Sequence, residues 1–574
     1  MTTGGSGSPG DPGSPGDPGS PGDPGSPGDP GSPGGAGSDA DLGGDDLMGP
    51  IVREPWMGAR VLSYPNRPAT ILDALDRAVS RFGDRGYIVA PEGEVTYREF
   101  AELVEGAAQR LAEEGLQPGD RLAVAAGNGL DLAVALWACA RLGAILVGLN
   151  TRLAPAQWGY MLGHSQPALA LAQPEFLAGL RAAAADAGLA PERVRPLGDH
   201  LRGRRRRWAY TDADRPDEAA TYAVVYTSGT TGRPKASQVV HRASMHSGIT
   251  YSRVLHLTAD DRTAVLFPLY YISAMHAHML PMMLVGGTCV LVAGPTPRQF
   301  LDVLGAQRIT WMYAVPSFWL LMLRLEGFAW PALADLTVGA FGGSPFPVAA
   351  VGELRRRLPQ VRLHDIYGLS ETHSPATMLL DEEFRRKPGS VGRPLPCMEA
   401  CVVDDDGVAL APGQAGELWL RGSLVTTGYY NDPEATAAAI GADGWFRSGD
   451  VARMDAEGYV YILDRKKDMI NRGGHKIFSA ELEQVLMAHP GVDDAAVVGV
   501  PDPVAFESVT AFVVAGDGST LSANDVRQWV RSQMADYAAP RVVHFADEIP
   551  RNATGKIDKP ALRRLATSPM NPRP

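Results

Sequence analysis

Cysteine is scarce in this chain: Cys139, Cys289, Cys397 and Cys401 are the only four among 574 residues. None has a partner at metal-ligand spacing. Cys397 and Cys401, four apart and without a histidine pattern, read as buried free thiols, which fits a reducing cytoplasm. Excess positive charge is also missing. Lys and Arg number 53 against 65 Asp and Glu, a formal net charge of −12, and no basic stripe offsets it, which argues against a nucleic-acid partner. No uncharged apolar run is long enough to span a bilayer, so membrane insertion is not expected. The N-terminus lacks the basic-then-apolar order of a signal peptide. G-x-x-x-x-G-K-[ST] is absent as well, so there is no Walker A loop.

With 45% hydrophobic and 21% charged residues, the rest has globular character, and its length predicts at least two folded units. Residues 1–49 stand apart. From Gly7 to Pro33 they repeat a strict Gly-x-Pro triplet, followed by the acidic linker Asp39–Asp46. The pattern is formally collagen-like and reads as a disordered polyproline-leaning tail or a short trimerising triple helix. No catalytic role is assigned to it.

The folded chain begins near Pro50. Phe100, Leu103, Val104, Ala107 and Leu111 have the spacing of an amphipathic helix over Arg98–Glu114, with Gly115 at its end. A strand at Arg121–Ala126, a helix at Leu130–Leu142 and a strand at Ala144–Leu149 complete a βαβ unit. Helices alternate with short apolar strands again through 220–345, which predicts a parallel α/β architecture. The arginines Arg202 and Arg204–Arg207 form either an anion patch or a solvated loop beside Asp212, Asp214, Asp217 and Glu218. From Val402, short β-rich pieces such as Gly416–Arg421 alternate with Gly/Asp turns and predict a small barrel-like region before Asp464. Beyond Lys467 a small α+β domain is expected, with strands at Ala495–Val500 and Val509–Val514 and a helix at Ala523–Met534. The expected division is a tail (1–49), a large domain (50–463), a hinge (464–467) and a C-terminal domain (468–574).

Candidate chemistry accumulates in turns. Tyr226–Lys235 reads Y-T-S-G-T-T-G-R-P-K. Thr227, Ser228, Thr230 and Thr231 offer hydroxyls, Gly229 and Gly232 free the backbone N–H groups, and Lys235 adds a cation. Such a loop suits a polyphosphate, and equally a polar surface turn between strand and helix. Tyr367-Gly368-Leu369-Ser370-Glu371-Thr372 follows the strand-like Val361–Ile366, at a carboxyl end where open sheets bind ligands. Tyr367 can stack on a base, and Glu371 offers a hard oxygen for magnesium. Gly342-Gly343-Ser344-Pro345 makes a second tight turn, Asp450 follows Ser448-Gly449 as a ribose acceptor, and Lys556 sits on a glycine-containing loop. Each alone is ordinary turn chemistry; together they describe a nucleotide site.

The ordered set YTSGTTGRPK, FGGSPFP, YGLSET, GELWLRG, GYYNDPEAT, GWFRSGD, DRKKDMINRGGHKIFSAELE and PRNATGKIDK resembles the adenylate-forming superfamily of acyl-CoA synthetases, peptide adenylation domains and luciferases. The resemblance runs from about Pro50 to Arg564 and is closest to acyl- or aryl-CoA ligases. It implies ATP, magnesium and coenzyme A, a carboxylic acid substrate, and an acyl-AMP intermediate. It puts Thr227–Lys235 on the β- and γ-phosphates and Thr227 and Glu371 at the metal. Gly343, Ser344, Pro345 and Asp365–Tyr367 border the adenine, and Asp450 and Arg465 the ribose. Lys556 matches the lysine between carboxylate and α-phosphate, and Lys467 the hinge. Gly473 and Gly474 match the turn that lines the pantetheine channel after rotation of the small domain.

Leu266–Tyr271 resembles the P-L-F-H motif of the CoA-ligase branch, with Tyr271 at the gate histidine's place. No acid occupies Phe267–His278, which disfavours an α-amino acid. His276 and His278 line the acid pocket or serve ordinary packing. By the same resemblance, Tyr270–His278, Met312–Phe318 and Val338–Phe341 supply pocket walls that suit an aromatic or medium-length apolar acid. A carrier-protein thiol, an amine or nitrite-dependent diazotase chemistry is the alternative to coenzyme A.

Overall fold

The computed structural model describes residues 50–201, 205–227, 234–325, 328, 333–516, 518–552 and 556–567. Residues 1–49, Arg202, Arg204 and the loop residues Ser228, Gly229, Thr230, Thr231 and Gly232 lie outside them.

The predicted βαβ unit is present. Its preceding helix, Tyr97–Glu113, starts at a reciprocal capping box. Glu99 N donates to Thr96 Oγ1 at 3.2 Å and Thr96 N donates to Glu99 Oε2 at 2.9 Å, satisfying two orphan donors. Its stripe of Phe100, Val104, Ala107 and Leu111 is fully buried. Helix Leu130–Leu142 is apolar on nearly every side and buried from Asp131 to Ala140, as expected of a helix enclosed by core. It stops at Gly143, whose φ of +73° suits glycine.

Two large sheets follow from these units. The six-stranded sheet runs Lys235–Val240, Thr221–Thr227, Ile145–Gly148, Arg121–Ala125, Leu169–Ala172, Val194–Pro196, and is parallel from its second strand onward. The nine-stranded sheet has a parallel centre that includes Arg362–Tyr367, Val338–Gly342, Trp311–Ala314 and Arg262–Val265, with antiparallel additions at both edges. The barrel-like region is a four-stranded antiparallel meander, Met398–Val403, Ala415–Gly422, Phe446–Met454 and Val460–Arg465; its outer strands do not pair with each other among the described residues.

The small C-terminal domain has a five-stranded sheet. Strands Val492–Asp502 and Phe506–Ala515 extend past the predicted limits, and the predicted helix is Ala523–Gln533. Val497, Val509, Ala511, Leu482, Val526 and Val530 belong to a core of its own. All four cysteines are free, three of them buried. Arg205–Arg207 are exposed, with Arg205 paired to Glu99 at 2.8 Å, as a solvated loop predicts. Among the described residues no helix is long and apolar enough to cross a membrane.

Candidate active site

The carboxyl end of strand Arg362–Tyr367 meets the meander, and that junction gathers Tyr367, Asp450 and Arg465. Strand Arg362–Tyr367 delivers Tyr367, whose Oη donates to Asp450 Oδ2 at 2.5 Å. Asp450 lies in Phe446–Met454 directly opposite Arg465, and Arg465 Nε reaches its Oδ1 at 2.7 Å. Asp450 is only 2% exposed. Burial pushes its carboxyl above the usual range, while Arg465, Tyr367 and Lys556 pull it back. A carboxylate held from both sides in this way has fixed oxygens to offer a diol.

Lys556 shares the electrostatic environment of Arg465, Asp450, Glu371 and Lys467. The residue keeps an exposed surface, yet the protein crowded around its ammonium, helped by Arg465 and Lys467, pushes it down to about 8; Asp450 and Glu371 oppose that shift. Lys467 itself is exposed. Asp365, two residues before Tyr367, is pushed up to about 8 by burial.

Glu371 is buried, and Tyr429 Oη donates to its Oε1 at 2.8 Å. Tyr429 also lies under the Lys235 ammonium, 5.0 Å from ring centroid to Nζ. This tyrosine therefore joins Lys235 to the candidate metal carboxylate. Sequence reasoning gave it no role, although it stands in the GYYNDPEAT motif. Thr227 and Lys235 face each other across an antiparallel pair. The loop between them joins two strands, and helix His241–Val254 begins only after Lys235–Val240. The expected strand-to-helix connection is thus corrected, and no helix N-terminus follows the loop directly. A carboxylate and a threonine hydroxyl are hard oxygen donors, so Glu371 and Thr227 suit magnesium chemically.

Close approach explains several glycines. A Cβ on Gly368 would lie 1.4 Å from Ser374 O, so no larger residue fits. Gly343 has φ +83° and, with Ser344 and Pro345, forms an exposed turn after Val338–Gly342. Ser370 opens the short turn carrying Glu371. Gly473 and Gly474, at φ +60° and +89°, occupy the exposed tip between Ile470–Arg472 and His475–Ile477.

On the candidate acid side two tyrosines and two histidines are uncharged. Tyr271 Oη accepts from Asn150 Nδ2 at 2.7 Å, and Tyr270 Oη donates to Asn150 Oδ1 at 3.1 Å. The two rings meet edge to face at 4.9 Å. Burial raises both phenols, so neither ionises near neutral pH. Asn150 was not anticipated from the sequence. His276 and His278 are buried in a π-helical turn, Met275–Met279. His276 Nδ1 donates to Ile272 O at 2.8 Å, and His278 Nδ1 lies 2.6 Å from Thr263 Oγ1. Burial pushes them down to about 4 and about 3, so both are uncharged.

Only part of the expected wall faces this segment. Trp311, Tyr313, Val338 and Ala340 share a core with Tyr270, Met275 and Ala277, whereas Met312, Ala314 and Phe341 belong to the core on the other face of the sheet. The period of two along a strand decides that division.

Comparison with known proteins agrees with this geometry. The family model described as AMP-binding enzyme matches residues 75–430, and that of the AMP-binding enzyme C-terminal domain matches 481–556. The indoleacetate–CoA ligase of Aromatoleum aromaticum is 34% identical over 490 residues, covering 83% of this chain and 94% of that one. A feruloyl-CoA synthase of Amycolatopsis is 34% identical over 476 residues, covering 82% and 94%. The ATP-bound structure of MatB from Rhodopseudomonas palustris superposes with a TM-score of 0.79 at 28% identity, covering 86% of this chain and 98% of that one. The chain belongs to the AMP-binding, adenylate-forming enzyme family.

Proposed function

We propose that this enzyme activates an aromatic or medium-length apolar carboxylic acid with ATP and transfers the acyl group to coenzyme A. The observation that carries the proposal is the cluster of Tyr367, Asp450 and Arg465 at the carboxyl end of strand Arg362–Tyr367, with Glu371 and Lys235 joined through Tyr429. A neutral acid side built from Tyr270, Tyr271, Tyr313 and the uncharged His276 and His278 supports the choice of acid. So do relatives named for indoleacetate and ferulate.

In the first step a carboxylate oxygen of the acid attacks the α-phosphorus of ATP. The bond to the bridging oxygen breaks and pyrophosphate leaves. Lys556 stabilises the negative charge that grows on the phosphoryl oxygens, with the N–H groups of the Thr227–Lys235 loop. Magnesium, when held by Glu371 and Thr227, supplies charge neutralisation on the phosphates. Asp450 and Arg465 orient the ribose; Tyr367, Asp365 and the Gly343–Pro345 turn border the base. In the second step the coenzyme A sulfur attacks the acyl carbon, the carbon–oxygen bond to AMP breaks, and the thiol proton is lost to solvent.

We place the hinge at residues 464–467, with Lys467 as its pivot, between a large domain (50–463) and a C-terminal domain (468–574). On this reading the Gly473–Gly474 turn serves the second step. The free cysteines support a cytoplasmic setting. The test is acid-dependent pyrophosphate exchange across a panel of aryl, medium-chain and short acids. Aryl or medium-chain acids should give the highest kcat/KM; a strong preference for acetate would overturn the assignment of the acid.

A further inference from the structure

Beside the Asp450–Arg465 pair, four buried polar side chains join the meander to the C-terminal domain. Asp464, at 4% exposure, precedes Arg465 in Val460–Arg465. Its Oδ2 accepts from Ser479 N at 2.5 Å and from Ser479 Oγ at 2.6 Å. Ser479 opens helix Ser479–Met487 and is fully buried. Lys559 Nζ donates to Ser479 Oγ at 2.5 Å and pairs with Glu483 at 3.0 Å. Glu483 Oε1 also accepts from Val497 N at 2.8 Å.

Burying such charges costs several kcal/mol per ion before pairing, and an apolar core of equal volume would be about as stable. Geometry is what the network adds. Lys559 opens helix Lys559–Thr567, three residues beyond Lys556. Asp464 adjoins Arg465, the partner of Asp450. Lys556 N donates to Asn552 Oδ1 at 3.1 Å, and Asp558 N to Pro550 O at 2.8 Å. Hydrogen bonds therefore link Arg465 N to Asp464, Asp464 to Ser479 and Ser479 to Lys559, and the peptide chain from Lys559 through Asp558 leads on to Lys556.

We infer that Ser479, clamped between Asp464 and Lys559, is a positioning residue for the adenylation step: it sets where the Lys556 ammonium stands relative to Asp450 and Arg465. The inference rests on the proposed role of Lys556. It assigns the network to acyl-adenylate formation and not to transfer of the acyl group.

The experiment compares parent, Ser479→Ala, Ser479→Thr and Lys556→Ala in pyrophosphate exchange and in thioester formation from a supplied synthetic acyl adenylate. Displacing a reacting group by about 1 Å costs up to about 10²-fold, so Ser479→Ala should lower the exchange kcat by roughly 10- to 100-fold. KM for the acid and transfer from the supplied adenylate should be unchanged. Ser479→Thr, which keeps the hydroxyl, should recover most of the exchange. Equal losses in both half-reactions, or no loss of exchange, overturn the inference. If Lys556→Ala keeps full exchange, the role of Lys556 falls and the inference with it; if Lys556→Ala is inert and Ser479→Ala is not slowed, only the inference fails. Should Ser479→Ala not fold, Glu483→Gln, nearly isosteric and paired with Lys559, is read by the same two assays and the same outcomes.

Discussion

The two ends of the candidate site are built from different physics. At the nucleotide end, ionised and hydrogen-bonding groups face one another: Tyr367 and Arg465 on Asp450, Tyr429 on Glu371, and Lys556 among them. At the acid end Tyr270, Tyr271, His276 and His278 are held neutral by burial, and Asn150 ties the two tyrosines in place. The first end suits a ligand that is the same in every turnover. The second discriminates by shape, where one methylene is worth only about 1–3 kcal/mol. Loss of the Lys556 charge at the first end should therefore cost more than a small change of shape at the second.

The largest effect is expected from Lys556→Ala. Pyrophosphate exchange should fall by roughly 10²- to 10³-fold, as for loss of one preorganised group at a developing charge, while a supplied acyl adenylate still reacts with coenzyme A. Comparable loss in both assays would erase the distinction between the steps. Asp450→Asn should come next. It removes a charged acceptor worth about 1.5–3 kcal/mol, so KM for ATP should rise roughly 10- to 100-fold with KM for the acid little changed.

The smallest test contrasts the two ends by pH. Lys556 is pushed down to about 8 and must be protonated to oppose phosphate charge. The kcat/KM for exchange should be level below that value and decline above it, and Lys556→Arg should move the decline to higher pH. His276 and His278, at about 4 and about 3, remain neutral through the same range, so neither should add a limb to KM for the acid near neutrality. A limb there that His278→Asn removes would show a charged histidine at the acid end.

What the sequence displayed and what it concealed divide along the same line. Helix Leu130–Leu142 was legible to the residue because its apolar run ends at a glycine with a positive φ. Tyr367, Asp450 and Lys556 were legible because turn motifs carry their own chemistry. Four things were not. Tyr429 reaches Glu371 from a residue 58 positions away, and a long-range hydrogen bond leaves no local pattern. Asn150 supports Tyr271 from the end of a different strand. The acid walls were predicted as whole segments, whereas strand alternation turns Met312 and Phe341 to the opposite core. Ser479 had no signal beyond its place at a helix start.

The central claim is two-step transfer of an acyl group through AMP to coenzyme A. It is tested most directly by incubating the enzyme with ATP, magnesium, coenzyme A and the preferred acid of the panel, and quantifying products by mass spectrometry. The account predicts acyl-CoA, AMP and pyrophosphate in equal amounts, all dependent on Lys556. Acid-dependent pyrophosphate exchange with no thioester, and with product appearing only when an amine, nitrite or a carrier protein is supplied, would contradict it.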